Sequence, residues 1–201
     1  MPALRRPDIR VVLGKGGSGK SYLVRHWLKS TKGRVLIFDS AAEADYANNA
    51  FMATSPRELV DYLIGDARGA ICYREAMPTR DGFEVFNRAA WSAENLTVVW
   101  EEVDRWSDAG RLPDHAFAMV NQGRHRGIRI IATARRPHRV SRDLTANASR
   151  IVAFKSVEPR DLAYLADYIG RDAPAMIGGL TEFQAVDWTE AAYGVRKSPF
   201  K

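Results

Sequence analysis

Apolar residues fall along this chain in short continuous runs, separated by longer stretches where they recur every three or four positions. The runs at residues 9–13 (Ile-Arg-Val-Val-Leu), 35–39, 70–74, 96–100 (Leu-Thr-Val-Val-Trp), 128–133 and 150–154 predict buried strands. The stretches between them predict helices over 22–28, 56–64 (opened by Pro56), 83–91, 114–126 (opened by Asp114 and closed by Gly127), 141–146 and 159–170. Such an alternation specifies an α/β fold with a mostly parallel central sheet and helices on both faces. Ligands of open sheets bind beyond the carboxyl ends of the strands, and Gly14, Asp39, Glu101 and Thr133 all fall at that edge. Residues 183–188 alternate like an exposed edge strand or hairpin, so a short C-terminal β extension closes the fold. It occupies 175–201 and ends in a basic tail over 196–201.

Between the first strand and the first helix stand Gly14, Lys15, Gly16, Gly17, Ser18, Gly19, Lys20 and Ser21, the pattern G-x-x-x-x-G-K-[ST] of a phosphate-binding P-loop, or Walker A motif. Glycines let the backbone curl its N–H groups around phosphate oxygens at the positive end of the following helix, which begins at Tyr22. Lys20 is the side chain that reaches the β- and γ-phosphates, Ser21 the hydroxyl that ligates Mg²⁺, and Lys15 sits at the loop rim. The expected ligands are ATP and Mg²⁺, and the expected fold is that of a P-loop NTPase.

With 201 residues, 46% of them hydrophobic, the chain is long enough for one well-packed domain and short for two. It is therefore read as a single ATPase domain over 1–201, preceded by an N-terminal arm at 1–8. No apolar run approaches the length of a membrane span, so no integral membrane segment is expected. The single cysteine, Cys72, excludes an intramolecular disulfide or a thiolate metal cluster. The net charge of +6 is local: between residues 115 and 142 there is no Asp or Glu, yet Arg124, Arg126, Arg129, Arg135, Arg136, Arg139 and Arg142 all fall there. Removing these seven from the 30 basic residues leaves 23 against 24 acidic ones. A concentrated basic segment is the footprint of a polyanion, either nucleic acid or a neighbouring subunit's nucleotide.

The strand at 96–100 runs directly into Glu101-Glu102, the pattern of a Walker B motif. The strand end aims one carboxylate at the metal, the role of Glu101, and the turn aims the next at the attacking water, the role of Glu102 as base. Thr133, at the end of the following strand, is placed to sense the γ-phosphate. Arg124 and Arg126 end a helix, where either is a candidate arginine finger acting on a neighbouring subunit's site. Arg135, Arg136, Arg139 and Arg142 are candidate contacts to nucleic acid.

Taken in order, these segments resemble the FtsK/HerA superfamily of ring-forming DNA-pumping ATPases, particularly the genome-packaging ATPases of tailless icosahedral viruses with an internal membrane. The resemblance spans roughly residues 8–170. It rests on the P-loop, Glu101-Glu102, Gly123-Arg124-His125-Arg126-Gly127-Ile128, Ala132-Thr133-Ala134-Arg135-Arg136-Pro137, the run from Val140 to Val152, and Glu158-Pro159-Arg160-Asp161-Leu162. Where the family often carries Gln after Ala-Thr, this chain has Ala134 and an extra Arg before Pro137. The barrel and membrane segments of larger cellular relatives have no counterpart here, which leaves a minimal motor. The resemblance implies a homo-oligomeric ring, expected to be a hexamer, with nucleotide at each interface and double-stranded DNA in the pore. It also implies capsid or vertex proteins as partners, and a location in the host cytoplasm and at the packaging vertex of the virion.

Two rival readings share parts of this pattern. A filamentous-phage morphogenesis ATPase, which extrudes DNA, has a similar core but carries a transmembrane helix after it. A P-loop phosphotransferase would use an arginine-rich lid, for which residues 135–142 could serve, over an acceptor site that the sequence does not display.

Overall fold

The computed structural model describes residues 7–42, 46, 48–65, 69–107 and 110–196. The strands β1 (Ile9–Leu13), β2 (Arg34–Phe38), β3 (Phe51–Ala53), β4 (Ala70–Tyr73), β5 (Leu96–Trp100), β6 (Arg129–Ala134), β7 (Arg150–Phe154), β8 (Ala185–Thr189) and β9 (Ala192–Arg196) form one sheet in the order β3-β4-β2-β5-β6-β1-β7-β8-β9. All pairings from β3 to β7 are parallel, and β8 and β9 add antiparallel. The helices are α1 (Lys20–Leu28), α2 (Pro56–Ile64), α3 (Arg80–Ala93), α4 (Asp114–Gln122), α5 (Arg142–Ala146), α6 (Pro159–Ile169) and α7 (Ala173–Gly178).

The two faces of the sheet are covered unequally. Val11, Leu13, Leu36, Phe38, Val98, Trp100, Ile130, Ala132 and Ile151 point to one side, where α2 to α7 pack on them around Phe83, Phe86, Met119, Leu144 and Leu165. The alternate residues Val12, Val35, Ile37, Val99, Ile131 and Val152 point to the other, where α1 contributes Leu23, Val24 and Trp27. The period-2 geometry of a strand produces this division. The central strands are apolar at nearly every position because both faces are buried. On the first face Phe38 is ringed by Phe83, Phe86 and Trp106, with ring centroids 5.1–5.5 Å away. Asn87 and Trp100 are joined by an indole N–H that donates to the amide oxygen at 2.8 Å.

Local chemistry sets the helix starts. Ser55, Thr79 and Glu158 each accept a backbone N–H two to three residues on, capping α2, α3 and α6. The expected helix over 114–126 divides: the α-helix stops at Gln122, a 3₁₀ turn covers Gly123–Arg126, and Gly127 reverses the chain at φ 68°. A side chain there would collide with Asn95, whose Oδ1 lies 2.4 Å from the position a Cβ would take. Two elements were not anticipated, the edge strand β3 and the short helix α7. The residue run 183–188, expected as an edge strand or hairpin, is β8 of a hairpin with β9. Arg150 and Asp187 clamp β8 onto β7 through paired bonds of 2.8 and 2.7 Å. Residues 1–6 of the expected arm and 197–201 of the expected tail lie outside the described residues. Among the described residues no helix is long and apolar enough to cross a membrane.

Candidate functional site

The P-loop leaves the carboxyl end of β1, which lies between β6 and β7. The Gly14 N–H donates to the Ala134 carbonyl at 3.1 Å, so the loop starts from a fixed point. Gly14 has φ 153°, and a Cβ there would stand 2.8 Å from Phe154 Cβ and 2.9 Å from Ser18 Oγ, so no other residue fits. Gly19 caps α1 at φ 102° and offers no side chain to its N–H groups. The first N–H groups of a helix have no partner within it, so the start of α1 at Lys20 turns its positive end toward the loop. Lys15, Gly16 and Gly17 are exposed at the rim, whereas Ser18 and Lys20 are buried.

The Lys20 ammonium donates to the Lys15 carbonyl at 3.0 Å, folded back over the loop. Burial holds its pKa below the ordinary lysine value; Glu101 and Glu102 oppose that shift, and the Arg135 charge adds to it. Ser18 Oγ is buried with no hydrogen-bond partner among the described residues. A glycine loop at a helix N-terminus, a desolvated ammonium and a buried hydroxyl without a partner among the described residues fit a phosphate chain. Ser21 is half-buried in the first turn of α1, and Tyr22 is exposed beside it, its ring 5.9 Å from the Arg25 guanidinium.

Glu101 and Glu102 follow β5, which is separated from β1 by β6 alone. Glu101 is buried; its carboxylate accepts the Tyr46 hydroxyl at 2.6 Å on Oε1 and the Thr133 hydroxyl at 2.5 Å on Oε2. A carboxylate has about four lone-pair sites, so it retains room for a metal-bound water, and Glu101 with Ser21 fits Mg²⁺. Burial and the Glu101 charge push the Tyr46 phenol well above its ordinary pKa, so it remains a donor. Glu102 takes the left-handed conformation, φ 54° and ψ 48°, which turns its side chain out of the strand line. Its N–H donates to Thr133 Oγ1 at 3.0 Å. Its carboxylate lies between two guanidinium groups, with Arg135 on Oε1 and Arg105 on Oε2 at 3.3 Å. Asp104, in the 3₁₀ turn Val103–Arg105, accepts the backbone N–H groups of Arg135 at 3.1 Å and Arg136 at 3.2 Å. Burial raises its pKa.

Thr133, expected to sense the γ-phosphate, is fully buried, and its hydroxyl bridges Glu101 and the Glu102 amide. The basic segment splits, because β6 carries the chain across the sheet. Arg124, Arg126 and Arg129 stay at the amino end of β6, about 20 Å from the P-loop edge at the usual strand rise. Arg135 and Arg136 follow its carboxyl end, on the same edge as Gly14 and Glu102, whereas Arg139 ends the 3₁₀ turn Pro137–Arg139 and Arg142 opens α5. The two finger candidates also separate. Arg126 is tied to Glu94 at 2.6 Å, donates to the Trp91 carbonyl at 3.1 Å, and lies 4.5 Å from the Trp91 ring. Arg124 is exposed, with only its neighbour His125 at 3.2 Å among the described contacts. Neither reaches the P-loop of its own chain. Arg142 pairs with Asp167 at 3.3 Å, and Arg136 stands 3.9 Å from Asp161. Tyr46, Asp104 and Arg105 complete the site without having been singled out.

A parallel sheet with a glycine loop wrapped on a helix N-terminus, and an acid pair one strand away, defines a P-loop NTPase fold. Among solved structures, the chain superposes on the genome-packaging NTPase B204 of Sulfolobus turreted icosahedral virus 2 with a TM-score of 0.81, at 21% identity over 96% of each chain. B204 has also been solved in complex with ATPγS and with AMPPCP. VirB4 of Thermoanaerobacter pseudethanolicus matches with a TM-score of 0.61 at 9% identity, over 93% of this chain and 88% of that one. The pCW3 conjugation coupling protein TcpA matches with a TM-score of 0.58 at 14% identity, over 97% of this chain and 61% of that one. At such identities the likeness establishes the P-loop NTPase fold and no more. No family model and no curated protein sequence matches the chain.

Proposed function

We propose that this chain is an ATP-driven DNA translocase that packages a viral genome into a preformed capsid. The observation that carries the reading is the shared edge: the P-loop, the Glu101-Glu102 pair and Arg135 and Arg136 of an acid-free segment follow the carboxyl ends of β1, β5 and β6. The whole-chain likeness to a packaging NTPase supports the choice of cargo.

In this reading the loop amides and Lys20 hold the phosphates, and Ser21 and Glu101 hold Mg²⁺. When bound, that ion neutralises charge on the phosphate oxygens. Glu102 takes a proton from the attacking water as the water oxygen bonds to the γ-phosphorus and the bond to ADP breaks. Thr133 and Tyr46 fix the carboxylate of Glu101. Arg124 cannot serve its own loop, so it acts as the finger on the next subunit, which requires a ring, proposed to be a hexamer. Backbone contacts from Arg135, Arg136, Arg139 and Arg142 to duplex DNA in the pore are sequence-independent and salt-sensitive. The capsid vertex holds the ring in place, and the protein works in the host cytoplasm and at that vertex.

Steady-state ATP hydrolysis across protein concentration, with and without duplex DNA, tests the proposal in wild type and Glu102→Gln. Turnover rises with concentration and with DNA, and falls about 10²–10⁴-fold in the variant while ATP binding is kept. Hydrolysis that ignores both DNA and concentration sinks the translocase reading and favours a phosphotransferase.

A further inference from the structure

The arrangement around Glu102 assigns a second role to this edge: we propose that Arg135 is a positioning residue that holds the general base off its water until a DNA phosphate draws the guanidinium away. The inference rests on the reading of Glu102 as base and DNA as cargo. Both carboxylate oxygens of Glu102 are engaged, one by Arg135 and one by Arg105. A base must turn one oxygen to the attacking water, and neither is directed there while both guanidinium groups hold it.

The exposures show which partner can leave. The Glu102 side chain is 8% exposed, against 54% for Arg135 and 49% for Arg105. The carboxylate is fixed and its clamps reach into solvent. The backbone at Arg135 does not have to move, because Asp104 holds the N–H groups of residues 135 and 136. Only the guanidinium must swing. It is exposed, as are the nearby Arg136 and Arg139, so an approaching polyanion meets it from solvent. A half-exposed ion pair is weak and exchanges readily, and a phosphate offers Arg the same two-pronged geometry as a carboxylate. Arg135 is also close enough to Lys20 for its charge to be felt there, so the release acts beside the phosphate-binding lysine.

The test is the ATPase rate of wild type, Arg135→Gln and Arg135→Lys at saturating ATP, with and without linear duplex DNA, with ATP affinity measured separately. Loss of a half-exposed clamp predicts a DNA-free rate about two- to fivefold higher in Arg135→Gln. The same variant's stimulation by DNA falls toward one, and its ATP affinity is unchanged. Arg135→Lys, which keeps the charge, retains stimulation. A rate and stimulation ratio equal to wild type overturn the inference. Loss of hydrolysis with and without DNA also overturns it, and assigns Arg135 to the nucleotide's own phosphates. If Arg135→Gln fails to bind ATP, Arg105→Gln is the second probe and must show the same direction. A wild type that DNA does not stimulate, or a Glu102→Gln variant that still turns over, means instead that the underlying reading has failed.

Discussion

Replacing Thr133 by Val isolates the bridge that orients the acid pair. The two side chains have nearly the same shape, and Thr133 is fully buried, so the substitution removes one hydroxyl and little else. That hydroxyl donates to the Glu101 carboxylate at 2.5 Å, a bond to a charged group worth about 1.5–3 kcal/mol. It also accepts the Glu102 N–H at 3.0 Å, and leaving a buried N–H without a partner costs about 1–3 kcal/mol. The added methyl offsets about 0.8 kcal/mol. The net loss is about 2–5 kcal/mol, which in a chain of this size lowers Tm by roughly 4–20 °C. Thr133→Ser keeps both bonds, loses one methyl, and costs about 1 kcal/mol. Urea unfolding at neutral pH with matched thermal melts gives both numbers, and ATP hydrolysis in the same samples follows the order wild type, Ser, Val. A Val variant within about 0.5 kcal/mol of wild type, or a Ser variant as damaged as Val, would refute the reasoning, because the hydroxyl would then not carry the bridge.

Four other outcomes follow from the geometry. The folded pKa of Lys20 lies below its ordinary 10.5, so its buried ammonium is unfavourable at neutral pH. The native state gains stability as pH rises from that lowered value to 10.5, because there the unfolded chain still binds the proton; Lys20→Met is therefore the more stable protein at pH 7 in thermal melts, by a margin that narrows over that window. The Cys72 thiol, pushed up to about 12 by burial and by the Asp39 charge, stays protonated, so a thiol reagent at pH 8 labels it only in unfolded protein, as the native and denatured labelling rates will show. Arg126→Ala loses an ion pair, a carbonyl contact and a ring contact and is destabilised by about 1–2 kcal/mol in urea unfolding. Arg124→Ala leaves stability unchanged and lowers hydrolysis, an effect that mixing with Glu102→Gln subunits locates at the neighbour's site.

The parts of this site that could be read from the sequence are those where backbone geometry dictates residue type. Gly14 is legible because a Cβ would strike Phe154, and Glu101 because an apolar strand ends in an acid where burial should exclude one. Tyr46 is not legible: it meets Glu101 from 55 positions earlier, out of a stretch with no periodic pattern. β3 was missed because three residues with Phe51 half-exposed make no run, and α7 because Ala-Pro-Ala-Met-Ile-Gly is too short to display a 3.6-residue repeat. The basic segment misled in a different way. Its composition suggested one patch, whereas the strand inside it separates Arg129 from Arg135 by the height of the sheet. The strand itself was anticipated, so the division could have been deduced by following the chain through it.

The same strand explains why the proposed DNA contact at Arg135 stands beside the acid pair and the P-loop. β6 lies between β1 and β5, and its last residues and the one that follows each touch a different part of the site. Thr133 holds the acid pair, the Ala134 carbonyl receives the P-loop through Gly14, and Arg135 grips Glu102. Successive residues of a strand point to opposite faces, so Thr133 and Ala134 cannot change partners without twisting β6 out of a sheet buried on both sides. Arg135, beyond the last ladder pair and half-exposed, is the first position where the chain can move. Rigidity in the first two residues keeps phosphate and acid pair in register, and freedom in the third leaves the Arg135 guanidinium, not the buried Glu102 carboxylate, as the group an outside anion meets.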